Sequence, residues 1–203
     1  MLCHDHSAVN VRVLTAVAVA ALVVVAAASA STPRRTNVTF ASAPLGPAST
    51  FASIAHRATS PAIVLASRAR RVAVLHWHGD RPLLVAPTTA GGFCESLAGP
   101  YGGTGCFTGI RRRNVVDSGL TANASGPIAL NGKFFNSRGA SLEVRYEDGR
   151  SNTVPIIWVS EPINAGFFVF VIPSAQRHSG HRPLAITLFS ASGIKLATDE
   201  LSR

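Results

Sequence analysis

Between residues 128 and 198 the hydrophobic positions recur with a period of two. Leu142, Val144 and Tyr146 alternate with Glu143, Arg145 and Glu147. That places three apolar side chains on one face of a strand and three charges on the other. Asp148-Gly149 then predicts a tight turn, because both residues tolerate positive φ. The return strand, 152–158, contains Pro155, which cannot donate to a ladder and so predicts a sheet edge or a bulge. Residues 166–172 read Gly-Phe-Phe-Val-Phe-Val-Ile. They are apolar on both faces, as a central strand of a core must be. Leu184, Ile186 and Leu188 alternate again, Ser192-Gly193 turns the chain into 194–198, and 128–133 opens the series.

Upstream, 72–78 and 82–86 flank Gly79-Asp80 and predict a hairpin. A turn-rich stretch, 87–92, leads into Phe93-Cys94, and 114–117 is short enough for one further strand. No βαβ rhythm occurs. The pattern predicts an all-β chain whose residues 121–203 form an antiparallel two-sheet β-sandwich of Ig-like type. A hairpin segment at 71–120, carrying the cysteine loop, precedes it. Residues 31–70, rich in Ser, Thr, Ala and Pro, read as a linker, with room for a short helix near 49–57 or 62–70.

Residues 1–30 stand apart. Arg12 is followed by an apolar run, 13–30, that supports two readings. As a signal peptide it has an h-region at 13–27 and an Ala28-Ser29-Ala30 cleavage site. As a retained transmembrane helix it has just the length to anchor the chain. Both put the remainder outside the cytoplasm, secreted or membrane-anchored. Cys3 lies ahead of the run, which leaves Cys94 and Cys106 as an even pair expected to form a disulfide in an oxidising compartment. Such a bridge contributes about 3 kcal/mol in the chain-entropy description.

The segments RYEDGRSNTVP (145–155), FFVFVIP (167–173) and PLAITLFSASGIKLAT (183–198) share a punctuation. An alternating strand ends in a D-G turn, a return strand carries V-P, and a last hairpin turns on Gly. This order, with RRVAVLHWHGDRPLLVAPTTAGGFC (70–94) upstream, resembles the small β-domains of exported or membrane-anchored proteins of high-GC bacteria. The resemblance implies an envelope location and a β-fold, and brings neither an activity nor catalytic residues.

Composition narrows the chemistry further. The chain has 203 residues, 14% of them charged, and a net charge of +9 carried by 17 Arg and two Lys. The motifs G-x-S-x-G, H-E-x-x-H, Walker A and G-x-G-x-x-G are absent, and no cofactor is expected. Glu95, Asp117 and Glu161 are the carboxylates from which an acid–base pair would have to come, with no spacing to support one. His76 and His78 share a strand face at i, i+2, and His178 and His181 flank a Ser-Gly loop. Both spacings can chelate a metal, but neither has a third ligand nearby, and a strand edge and a polar loop explain them as well.

Arg68, Arg70 and Arg71 form one basic cluster, Arg111, Arg112 and Arg113 a second, Arg177 and Arg182 a third. Arg pairs well with phosphate and carboxylate. The 111–113 triplet is therefore the candidate contact for an anionic lipid or cell-wall polymer, and no interleaving of basic and aromatic residues suggests nucleic acid. Trp77, Trp158 and Tyr146 could line a sugar-stacking surface or fill a core, and in strands a core is the expectation. A non-enzymatic exported β-domain with an envelope or interaction role follows, reaching the membrane through 13–30 where that segment is uncleaved. A polyanion-binding module and an exported enzyme using His76 or His78 as base are the alternatives.

Overall fold

The computed structural model describes residues 35–48, 50–51, 64–76, 79–97, 103–109, 111–124 and 126–201. The apolar run at 13–30 and most of 49–57 lie outside these, whereas 64–70, the other place where a short helix was expected, is described and holds none. The described residues are all-β. Thirteen strands follow in order: β1 (Thr36–Val38), β2 (Arg70–His76), β3 (Asp80–Pro87), β4 (Phe93–Leu97), β5 (Thr104–Phe107), β6 (Val116–Asn123), β7 (Gly126–Phe134), β8 (Gly139–Tyr146), β9 (Ser151–Val154), β10 (Ile157–Val159), β11 (Ala165–Val171), β12 (Pro183–Ser190) and β13 (Lys195–Glu200). Two 3-10 turns, Phe40–Ser42 and Ser174–Gln176, are the only helical pieces among the described residues.

The strands form three sheets. One has the order β1-β10-β11-β7-β6, a second β13-β12-β8-β9, and a third β2-β3-β4-β5. The first lies between the other two, and its side chains show why. Along β11, Phe168 joins the buried cluster that holds Leu142, Val144, Tyr146, Ile186 and Leu188 of the second sheet. Its neighbour Phe167 joins the cluster that holds Val72, Leu83, Val85 and Phe93 of the third. Successive side chains of a strand point to opposite faces, so an unbroken apolar run is what a doubly covered strand requires. β10 repeats the arrangement, with Trp158 facing one partner sheet and Val159 the other.

The sequence pattern therefore underestimates the layering. Where two sheets were expected, three form, and the hairpin expected from 72–78 and 82–86 grows into a four-stranded sheet. The expected division between residues 120 and 121 falls inside β6. The Ser/Thr/Ala/Pro-rich stretch is also structured where it is described: β1 pairs in parallel with β10, and Phe40, Ala43 and Phe51 are buried. Phe51 and Leu65 cover the outer face of the third sheet, against Leu84, Ala86 and Cys94.

Other expectations are met directly. β8 presents Leu142, Val144 and Tyr146 to the core. Gly79, Gly149 and Gly193 all turn at positive φ, the conformation glycine adopts without steric cost. Pro155 sits where the return strand divides. β9 pairs as the edge of the second sheet, and β10 resumes in the first. With no N–H to give, Pro155 marks the point where the chain leaves one ladder for another.

Gly166 is the tightest position in the middle sheet. A Cβ there would stand only 2.1 Å from the ring of Phe134, which is fully buried. Gly166→Ala is therefore expected to destabilise the fold by about 1–3 kcal/mol through overpacking. A urea-unfolding midpoint unchanged from the parent would show that the ring has room to move.

Candidate functional site

Three edge strands converge on one cleft. β5 is the edge of the third sheet, β6 of the first and β13 of the second. Where they meet, a cavity of about 470 Å³ is lined by Phe107, Arg112, Val115, Val116, Asp117, Ser118, Phe135 and Asp199. The Phe107 and Phe135 rings lie 4.8 Å apart between centroids, and Phe93 packs behind both. Ser118 Oγ donates to Asp199 Oδ2 at 2.5 Å, joining β6 to β13. The cleft thus combines an aromatic wall, two carboxylates and one guanidinium, a lining suited to a polar ligand with an apolar face.

The disulfide borders this cleft. Cys94 and Cys106 face each other directly across β4 and β5 and are bonded. Both ends of the loop expected between them are ladder: β4 and β5 pair from Phe93–Phe107 to Ser96–Thr104. The bridge fastens β5 to its sheet beside Phe107, one wall of the cleft.

The arginine triplet is divided in its roles. Arg111 donates to the Gly91 carbonyl at 3.0 Å and sets its guanidinium 5.9 Å from the Phe135 ring centre. Arg112 is exposed and lines the cleft. Arg113 is exposed, and its carbonyl accepts from Asn136 Nδ2. The other basic clusters are divided in the same way. Arg68 donates to the Gly46 carbonyl, Arg70 to Ala43 and Arg177 to Ile172. Arg71 and Arg182 are exposed.

Of the carboxylates singled out above, Glu95 and Asp117 are brought together and Glu161 is not. Lys133 Nζ lies 2.7 Å from Glu95 Oε1 and 2.8 Å from Asp117 Oδ2. Burial alone would lower the lysine's pKa. The Glu95 charge and hydrogen bonds to both carboxylates outweigh it, so the ammonium form is favoured beyond the ordinary value. Sequence reasoning passed over Lys133, although a lone lysine in the run Ile-Ala-Leu-Asn-Gly-Lys-Phe-Phe is itself a signal.

Among the described residues, the histidines do not assemble into a site. The His76 backbone pairs with Asp80 at the end of the first hairpin, and His78 and Trp77 lie outside the described residues. His178 is exposed in its loop, while His181 Nδ1 meets Asp148 Oδ2 at 2.9 Å. Among the described residues, no three His, Cys, Asp or Glu side chains are placed to hold a metal ion. Trp158 and Tyr146 are buried in the core cluster, so neither offers a stacking surface.

Asp148 organises the β8–β9 turn. Its carboxylate accepts from Gln176 Nε2, is paired with His181 and accepts from the Arg150 backbone N–H. Led by the Gln176 bond, these contacts hold its pKa at about 2. Burial, aided by the Asp148 charge, pushes the Tyr146 hydroxyl up to about 12. Its hydroxyl donates to Asn152 Oδ1 at 2.8 Å.

Compared with family models, with curated proteins and with solved structures, the chain finds no match.

The depressed Asp148 pKa fixes the sign of a pH effect. The stabilisation is complete above the ordinary carboxylate value and is lost as pH falls through about 4 towards 2. Urea midpoints of the parent should fall across that window, and Asp148→Asn should remove part of the fall. Identical acid profiles for the two proteins would contradict this assignment.

Proposed function

We propose that this chain is an extracytoplasmic, non-enzymatic domain of the cell envelope, exported by its apolar segment at 13–30. It binds its partner at the cleft where three sheet edges meet. The observation that carries this reading is the Cys94–Cys106 bridge beside the Phe107 wall. Structural disulfides persist in oxidising compartments, and this one pins the edge strand that shapes the cleft. The two sheets built from β1 and β6–β13 we read as an Ig-like pair, a scaffold that carries binding surfaces of many kinds.

Fractionation of an exporting bacterial host expressing the full chain tests the location. The expected product is outside the cytoplasm, two hydrogens lighter through the cysteine pair. Its N-terminus is Ser31 if the apolar segment is cleaved, and the protein stays in the membrane fraction if it is not. A folded cytoplasmic protein with both thiols free would overturn the reading, and reproducible turnover of any substrate would overturn its non-enzymatic part.

One observation favours a more specific second reading. Arg112 is exposed and lines the cleft, and Arg113, next to it in the chain, is exposed as well, in a chain of net charge +9. An anionic lipid or wall polymer laid across them would gain about 1 kcal/mol per arginine near the surface. Co-sedimentation with phosphatidylglycerol vesicles should then weaken with salt. Replacing both residues by Gln should weaken it by roughly thirtyfold, the equivalent of about 2 kcal/mol. Salt-independent retention, or none, would rule this reading out.

A further inference from the structure

A lysine side chain ordinarily carries its ammonium out to water on a flexible four-carbon stem. Lys133 does not: its side chain is 12% exposed, held between Glu95 of the third sheet and Asp117 of the first. Asp117 is its direct cross-strand partner in the β6–β7 ladder, and on the other side the paired position is the buried Phe167. An amine therefore faces one carboxyl group on the neighbouring strand, and a second carboxylate reaches the same nitrogen from the opposing sheet. Both contacts are below 3 Å, within the distance at which reacting groups and proton-transfer groups must be held.

We infer that Lys133 and Asp117 condense into an intramolecular amide, with Glu95 moving the protons. Glu95 passes a proton from the Lys133 ammonium to the Asp117 carboxylate, so that a neutral amine faces a neutral carboxylic acid. The freed lone pair on Nζ attacks Asp117 Cγ, forming the C–N bond. Glu95 then carries a second proton from the nitrogen to the Asp117 hydroxyl, which leaves as water. Ammonium and carboxylate become amide and water. The charges cancel, Glu95 ends as it began, and no oxidant or activated co-reactant is required.

The product suits its surroundings. It removes the charge of a lysine that is largely out of water, at a carboxyl group that still reaches solvent. The amide keeps one N–H, which can still donate to Glu95 and leave that carboxylate partnered. It would also fasten β6 to β7 as the disulfide fastens β5 to β4, so that two of the three edge strands around the cleft would be covalently pinned. The chain has two lysines, and the other is exposed at the start of β13. A cross-link would therefore be unambiguous in origin.

Intact mass spectrometry of the full chain from an exporting host tests this. Beyond the two hydrogens lost to the disulfide, the folded protein is expected to be one water lighter. Proteolysis should release a branched peptide joining the segments around residues 117 and 133. Glu95→Gln, nearly the same size as the parent residue, should restore the missing water while keeping a cooperative melt, and Lys133→Arg should abolish the branch. A folded parent protein at full mass overturns the inference. So does a missing water without the branched peptide, which would mark ring closure at Asp117-Ser118 instead.

Discussion

The molecule depends on one sheet that must be buried on both faces. A solvated strand can be polar at every second position, but β11 has no such freedom, because Phe167 and Phe168 each enter a different core. Each fully buried aromatic or aliphatic side chain of this kind stabilises by about 1.5–3 kcal/mol. Neither core exists without its own covering sheet. β8 and β12 are thus committed to one face of the first sheet, and β3 and β4 to the other. The cleft is a by-product of this stacking: three sheets of finite width leave their edges side by side.

Arginine has a structural part in that stacking. Arg35 donates to the carbonyls of Ser137 and Gly139 and sits 4.8 Å from the Trp158 ring centre, fixing β1 against the loop before β8. Arg70 bonds the Ala43 carbonyl and lies over Phe40, and Arg111 treats Gly91 and Phe135 in the same way. A planar guanidinium can satisfy a carbonyl and stack on a ring at once, which an ammonium cannot. Part of the basic composition therefore closes loops, while Arg71, Arg112, Arg113, Arg138, Arg145, Arg150 and Arg182 stay exposed, and of these Arg112 lines the cleft.

How much of this could be read from the chain varies element by element. β8, β11 and β12 were legible because burial on one face or two writes directly into the residue pattern. β6 was only partly legible: Val-Asp-Ser-Gly-Leu-Thr-Ala-Asn has little strand preference, and it is a strand because β7 supplies a partner along its whole length. β1 pairs with a strand about 120 residues away, a contact no local pattern announces. The cleft was illegible for the same reason. Phe107, Ser118, Phe135 and Asp199 share no spacing and meet only because separate sheets end at one place. The disulfide needed only the count of cysteines, whereas the Lys133 cluster needed the register of two sheets.

The packing around Phe134 has a consequence for how this fold can change over time. Its ring occupies a slot between Gly166 on β11 and Gly139 at the start of β8, where an added Cβ would stand 2.8 Å from the ring edge. Positions 134 and 139 lie five residues apart and 166 lies 27 beyond 139, yet the three form one volume. Neither glycine can enlarge while the phenylalanine stays, and a smaller residue at 134 would open a void that larger neighbours could fill. Among descendants of this sequence, positions 134, 139 and 166 are bound to vary as a unit. Their joint changes would trace the fold where individual residues no longer do.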